Sequence, residues 1–273
     1  MKSENQMIED LKEYLGKYRS DNLSKKCGTY NYKRKSKPYE YILPKEMQEK
    51  NLINSDVMKK YPDVKRHSLF NHLTSSQALC LNLLGPLVAD HLNLLNSLLG
   101  FDVKDHVRAE FEFVDDLIHD RSNFDFFIET KKHDRLYFEF KYTEGTIHTK
   151  CEAKDTDERW RRFYSKPMLT ILEDKNSITS DVFCKQYQLW RNICRVANDH
   201  CEVYFVFPVF RKKLKRQVEE ARLLLKPEFK NKVHVLTVDE ICKIVLECGE
   251  SKYKEHYNEF KKKYLPEKIY NKD

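Results

Sequence analysis

Glycine is scarce in this sequence, at 6 of 273 residues, well below the ~7% of an ordinary chain. That shortage excludes collagen-like and low-complexity classes. Phosphate cradles built on glycine-rich loops are excluded too, because neither G-x-G-x-x-G nor G-x-x-x-x-G-K-[ST] occurs. The eight cysteines include no C-x-x-C pair, and the histidines form no H-x-H or H-E-x-x-H pattern, so zinc-site spacings are missing. His72, His119 and His148 therefore read as structural or exposed. No G-x-S-x-G elbow surrounds Ser75 or Ser76, which read as helix caps. A long apolar run is lacking as well. Residues 78–100 come closest, but Asp90, His91 and three asparagines interrupt them, too often for a membrane span. The opening MKSENQMIEDLKEY carries charge where a signal peptide needs an apolar centre, so a reducing cytoplasm is the expected compartment.

What is present is a chain with 40% hydrophobic and 34% charged residues, enough for a buried core under a heavily charged surface. The net charge of +7 is unevenly spread: residues 1–66 carry +6, residues 67–148 carry −6 and residues 149–273 carry +7. Basic flanks suggest a polyanionic partner, and an acidic middle suggests a cation site. The expected layout is a basic N-terminal extension over 1–66, a core domain over 67–250 and a Lys/Tyr-rich tail over 251–273.

Hydrophobic spacing gives the element order. Residues 4–19 suit a short amphipathic helix, and 20–66 read as loops and short helices. Residues 74–99 read as helical, capped by Thr74, Ser75 and Ser76, kinked or split near Gly85-Pro86 and stopped by Gly100. The period then falls to two in Ala109–Phe113, Asn123–Glu129 and Leu136–Tyr142, three aromatic-rich strands of an antiparallel meander. Residues 146–180 read as irregular. A helix over 181–198, a strand over Val203–Phe210, a helix over Leu214–Leu225, a strand over Val233–Val238 and a helix over Asp239–Cys248 complete the order α-βββ-α-β-α-β-α.

The tripeptide Glu139-Phe140-Lys141 has the form E-x-K. Six such tripeptides occur, but only this one lies in a clear strand that follows a strand with an acidic residue. If the hairpin turns near Lys132–His133, Asp125 lies opposite Glu139 or Lys141, and all three share a face. Phe124, Phe126, Phe138 and Phe140 would face the core. Phosphodiester hydrolysis needs such a set: carboxylates for a hard divalent cation, an activated water and positive charge near the developing phosphorane. Asp125 and Glu139 suit Mg²⁺, with the Phe140 carbonyl as a third ligand and Glu110 or Glu112 as a further one, Glu112 favoured. Lys141 suits orientation of the water or stabilisation of transition-state charge. The plain alternative is a solvated sheet face with a cross-strand salt bridge.

Asp125 and Glu139-Phe140-Lys141 resemble the signature of the PD-(D/E)xK nuclease superfamily, with Asn123-Phe124 standing where a proline would precede the aspartate. HLTSSQALCLNLLGPL at 72–87, followed by EFEF, SNFDFFIET and YFEFKYTEG, resembles a bacterial family of restriction endonucleases. The likeness covers roughly 67–210. It implies an α/β protein with a restriction-endonuclease-like αβββαβ core, a mixed sheet flanked by helices, and Mg²⁺-dependent cleavage of double-stranded DNA, with Mn²⁺ as a substitute. It also implies a homodimer, a cognate methyltransferase, and a polar helix beside the site, here carrying Gln188, Arg191 and Asn192. Lys150, Lys154, Arg159, Arg161, Arg162 and Arg191 mix with aromatics as phosphate-contacting surfaces do, although a solvated loop has the same composition. The run Arg211, Lys212, Lys213, Lys215, Arg216 reads as a solvated face. A non-catalytic nucleic-acid-binding protein that keeps the fold is the main rival.

Overall fold

The computed structural model describes residues 2–32, 35–88, 91–104, 106–115, 122–147, 156–248 and 250–270. The chain forms two compact units. One comprises Met1–Phe101, Pro208–Phe210 and Thr237–Asp273, the other Asp102–Phe207 and Arg211–Leu236. Residues 1–66 and 251–273 thus belong to the same unit.

That unit starts with the helix Glu4–Tyr18, whose N-cap Ser3 accepts a hydrogen bond from the Gln6 N–H and whose buried stripe is Ile8, Leu11, Leu15 and Tyr18. Strands β1 (Gly28–Tyr32) and β2 (Lys35–Tyr39) pair as an antiparallel hairpin where sequence alone gave loops. Lysine and tyrosine alternate too weakly there to announce strands. Pro86 lies inside the helix Ser76–Val88, in its last turn, rather than splitting it. Gly100 does terminate the next short helix, in the left-handed conformation at φ 72°. The expected tail is largely a helix, Ser251–Tyr264, that buries Tyr253, Tyr257, Phe260 and Tyr264. Spaced by four, three and four, these rings make one apolar face. Among the described residues no single helix is long and apolar enough to cross a membrane.

The other unit is built on a mixed sheet of strands β3 (Arg108–Asp115), β4 (Ser122–Glu129), β5 (Arg135–Phe140), β6 (Cys201–Phe207) and β7 (Val233–Thr237), in that spatial order. The first three form the expected antiparallel meander, and β6 joins β5 in parallel. A parallel partner requires a crossover, which residues 141–200 supply. The stretch 146–180, expected to be irregular, carries the helical segments Thr156–Arg159, Trp160–Tyr164 and Ser165–Ile171. Tyr164, Met168 and Ile171 anchor them in the core. The expected single helix over 181–198 is broken into Ser180–Lys185, Tyr187–Ile193 and Cys194–Ala197.

Side-chain alternation along β4 departs from strict period two. Phe124 and Phe127 both touch Tyr137, with centroids 4.8 and 5.1 Å apart, whereas Phe126 meets Phe138. Phe124 and Phe126 thus do not share a face as the sequence suggested. The pleat breaks at Asp125 and, across the ladder, at Glu112, whose φ of 53° is left-handed. The register on either side is unchanged, with Phe111↔Phe126 and Phe113↔Phe124. One ring from each strand then stacks in a column, Phe111, Phe126, Phe138, Tyr204 and His234, with centroid spacings of 4.8, 5.5, 4.9 and 4.4 Å.

Candidate active site

The β4–β5 ladder runs from Glu129↔Arg135 to Phe126↔Phe138 and ends there. One further step of the same register would set Asp125 against Glu139. Instead of a backbone rung, the Asp125 side chain closes the gap, with Oδ2 accepting from the Phe140 N–H at 2.6 Å. On the other side of β5, the Lys141 N–H donates to the Val206 carbonyl at 2.9 Å, which continues the parallel pairing with β6. The E-x-K segment is therefore clamped from both sides at the point where β4 and β5 part.

Glu139 is 3% exposed and Lys141 9%. Lys141 Nζ donates to Glu139 Oε1 at 2.8 Å. Gln188 Nε2, from the helix Tyr187–Ile193, reaches the same oxygen at 2.5 Å. Asn192, one turn further along that helix, donates Nδ2 to Glu139 Oε2 at 3.0 Å. Spacing of four places Gln188 and Asn192 on one helix face. Asn192 is completely buried, and its role is missed by reading only for charged ligands. The same i, i+4 relation was the signal that could have found it.

The local charges explain the titration behaviour. Burial first, then the Glu139 charge, push the Asp125 carboxyl well above the ordinary carboxylate range. Glu112 adds to the effect, while Lys141 and the Phe140 N–H oppose it. For Lys141, burial works against the ammonium, yet Glu139, Glu144 and Asp125 together hold its pKa above the usual lysine value.

Glu112 and Glu110 part company. Glu110 pairs with Arg108 at an exposed position, whereas Glu112 Oε2 accepts from Asn123 Nδ2 at 2.5 Å and adds to the field at Asp125. The donor set is thus half-buried Asp125 and buried Glu139, with Phe140 directly after Glu139 in the chain. Among the described residues no three His, Cys, Asp or Glu side chains are gathered for a metal. Two carboxylates are nonetheless what Mg²⁺ takes from a protein, the remaining positions going to water and phosphate oxygens. Glu139 Oε2 accepts one protein hydrogen bond and so retains acceptor capacity. A cation beside Asp125 would offset the repulsion that now favours its protonated form, so the residues fit the ion.

One sequence reading needs correction. Arg211 is fully buried rather than part of a solvated face, and its guanidinium donates to the Tyr142 and Glu144 carbonyls. It fixes the turn that follows Lys141. Asp115 ends β3 and forms an ion pair with Arg195 at 2.5 Å, both side chains being 0% exposed.

Of the expected phosphate contacts, Arg191 joins the site, with Nη2 donating to the Asn123 carbonyl at 3.2 Å. Arg159 stands next to Tyr187, the neighbour of Gln188. Arg161 bonds the carbonyl of Asp157, and Arg162 lies over Phe163 at 5.0 Å, so neither is brought to the site. Lys150 and Lys154 lie outside the described residues.

A five-stranded mixed sheet flanked by helices, with carboxylates and an ammonium where two strands part, is an α/β architecture of the restriction-endonuclease-like kind. The family described as Restriction Endonuclease associating with ARP matches residues 11–265, and the chain belongs to that family. Its role is accordingly of the restriction nuclease type. No curated protein and no solved structure matches the chain.

Proposed function

We propose that this protein is a Mg²⁺-dependent endonuclease of the PD-(D/E)xK type that hydrolyses phosphodiester bonds of double-stranded DNA, with Mn²⁺ able to substitute. The observation that carries the reading is the junction itself: Asp125 bonded to the Phe140 N–H, and Glu139 bonded to Lys141, Gln188 and Asn192. Asp125 and Glu139 would hold the ion, with the Phe140 carbonyl and Glu112 as supplementary ligands. When bound, the ion supplies a more acidic water and neutralises charge on the phosphate. Gln188 and Asn192 keep the Glu139 carboxylate in one orientation. Lys141 presents a buried ammonium where negative charge builds up on the phosphate oxygens, and its low-dielectric setting strengthens that attraction. Arg211 holds the turn that aims Lys141. A restriction role also calls for a cognate methyltransferase to protect host DNA, and that partner is part of the proposal.

The test is cleavage of long plasmid and linear DNA by the wild type and by Lys141→Ala, with Mg²⁺ or EDTA. Wild type with Mg²⁺ should cut, and EDTA should abolish cutting. The substitution should slow it at least ~100-fold, the size of contribution such a group makes. Equal cutting by both variants would overturn the role of Lys141 in this site, and DNA binding without cutting across varied sequences would replace this reading with that of a binding protein.

A further inference from the structure

Arg191 sits within a chain of hydrogen bonds linking the anchors of two carboxylates. Its Nε donates to Asn192 Oδ1 at 3.1 Å and its Nη2 to the Asn123 carbonyl at 3.2 Å. Asn192 in turn holds Glu139, and Asn123 holds Glu112. Arg191 is thereby fixed beside the site while its own hydrogen-bond partners are neutral. A second guanidinium lies close by. Arg159 and Arg191 stand 6.0 and 5.6 Å from the centroid of the same ring, that of Tyr187. Arg159 Nη1 also donates to the Tyr187 hydroxyl at 3.2 Å. Both guanidiniums thus stand at one ring, directly before Gln188 of the site. Guanidinium forks match phosphate oxygens in shape and charge.

We propose that Arg159 and Arg191, spaced by Tyr187, form the subsite for a DNA phosphate adjacent to the one that is cut. The inference rests on the reading of the neighbouring site as one that takes DNA. Tyr187 directly precedes Gln188, so a phosphate held here fixes the backbone register over Asp125 and Glu139 without reading any base. Arg161 and Arg162 do not share in this register.

Binding of a fluorescent DNA duplex in EDTA, over a series of KCl concentrations, tests the subsite. Arg191→Gln and Arg159→Gln should each weaken binding about tenfold. Each should lower the slope of log K against log salt by about 1. Arg161→Gln should leave both quantities as in the wild type. Wild-type slopes in both subsite variants, or an equal loss in Arg161→Gln, overturn the assignment. Cutting by the wild type in Mg²⁺ is measured in parallel. Binding that depends on Arg159 and Arg191 without any cutting leaves the subsite and removes the nuclease reading. Cutting with wild-type binding by both variants does the reverse. The two arginines lie on separate helical segments, so if one variant misfolds by circular dichroism the other decides.

Discussion

Asp125 illustrates how much local cost one side chain can carry for a function. Burial and Glu139 raise its carboxyl well above the ordinary carboxylate range, with Lys141 and the Phe140 N–H opposing, a cost that a bound cation would offset further. Asp125→Asn keeps an acceptor for the Phe140 N–H and removes the ionisable group. The expected result is a melting temperature equal to or above that of the wild type, together with loss of cleavage. Thermal melts and plasmid cleavage check it. A large drop in stability would show that the carboxylate is a structural ion-pair member instead. Such a result would be a stability–activity trade-off confined to one residue. At this scale the sequence was informative: Asp125, Glu139, Lys141 and Gln188 all meet at one place. Arg211 was less visible, because an arginine in a basic run gives no sign that its neighbours are exposed while it is buried.

The strands and helices were legible to different degrees, for physical reasons. The meander announced itself because aromatic and charged residues alternate along it. The break in that alternation at Glu112 and Asp125 was hidden, because a left-handed backbone residue usually betrays itself as glycine or asparagine, and here it is a glutamate. The helix Ser251–Tyr264 was obscured by its lysines. One of them, Lys263, is buried, donating Nζ to Asn51 O at 2.6 Å and to Asn51 Oδ1 at 2.8 Å. Burial pushes its pKa down to about 7, with Glu259 opposing. The unfolded chain therefore binds one proton more than the folded chain between pH ~7 and the ordinary lysine value of ~10.4. Stability from this group is present above that ordinary value and is lost as pH falls through about 7. Wild type should gain up to ~1.4 kcal/mol per pH unit over this window relative to Lys263→Met. Denaturant titrations at several pH values check the difference. Parallel curves for the two proteins would place the ammonium in the folded state throughout.

At the scale of the molecule, the opposed charges of the chain find distinct uses. The acidic middle segment holds the paired carboxylates and also the buried partner of Arg195. A restriction-type cut through both strands needs two sites, and we propose that the active form is a homodimer. Light scattering with a short duplex should give twice the 32.9 kDa chain mass once the mass of the duplex is subtracted, and supercoiled plasmid should pass to linear product with little nicked circle. A monomeric mass with nicked circles as the end product would refute the dimer.

The left-handed Glu112 has a consequence away from the chemistry. Among the described residues, strand β3 is the last strand on its side of the sheet, and an outermost strand ordinarily offers its backbone as a template on which other chains accrete. Here the template is spoiled midway by the reversed backbone of Glu112, and its start carries the charged pair Arg108 and Glu110. The distortion at Glu112, whose charge acts on Asp125, thus also acts against aggregation, and smoothing β3 would cost the protein solubility.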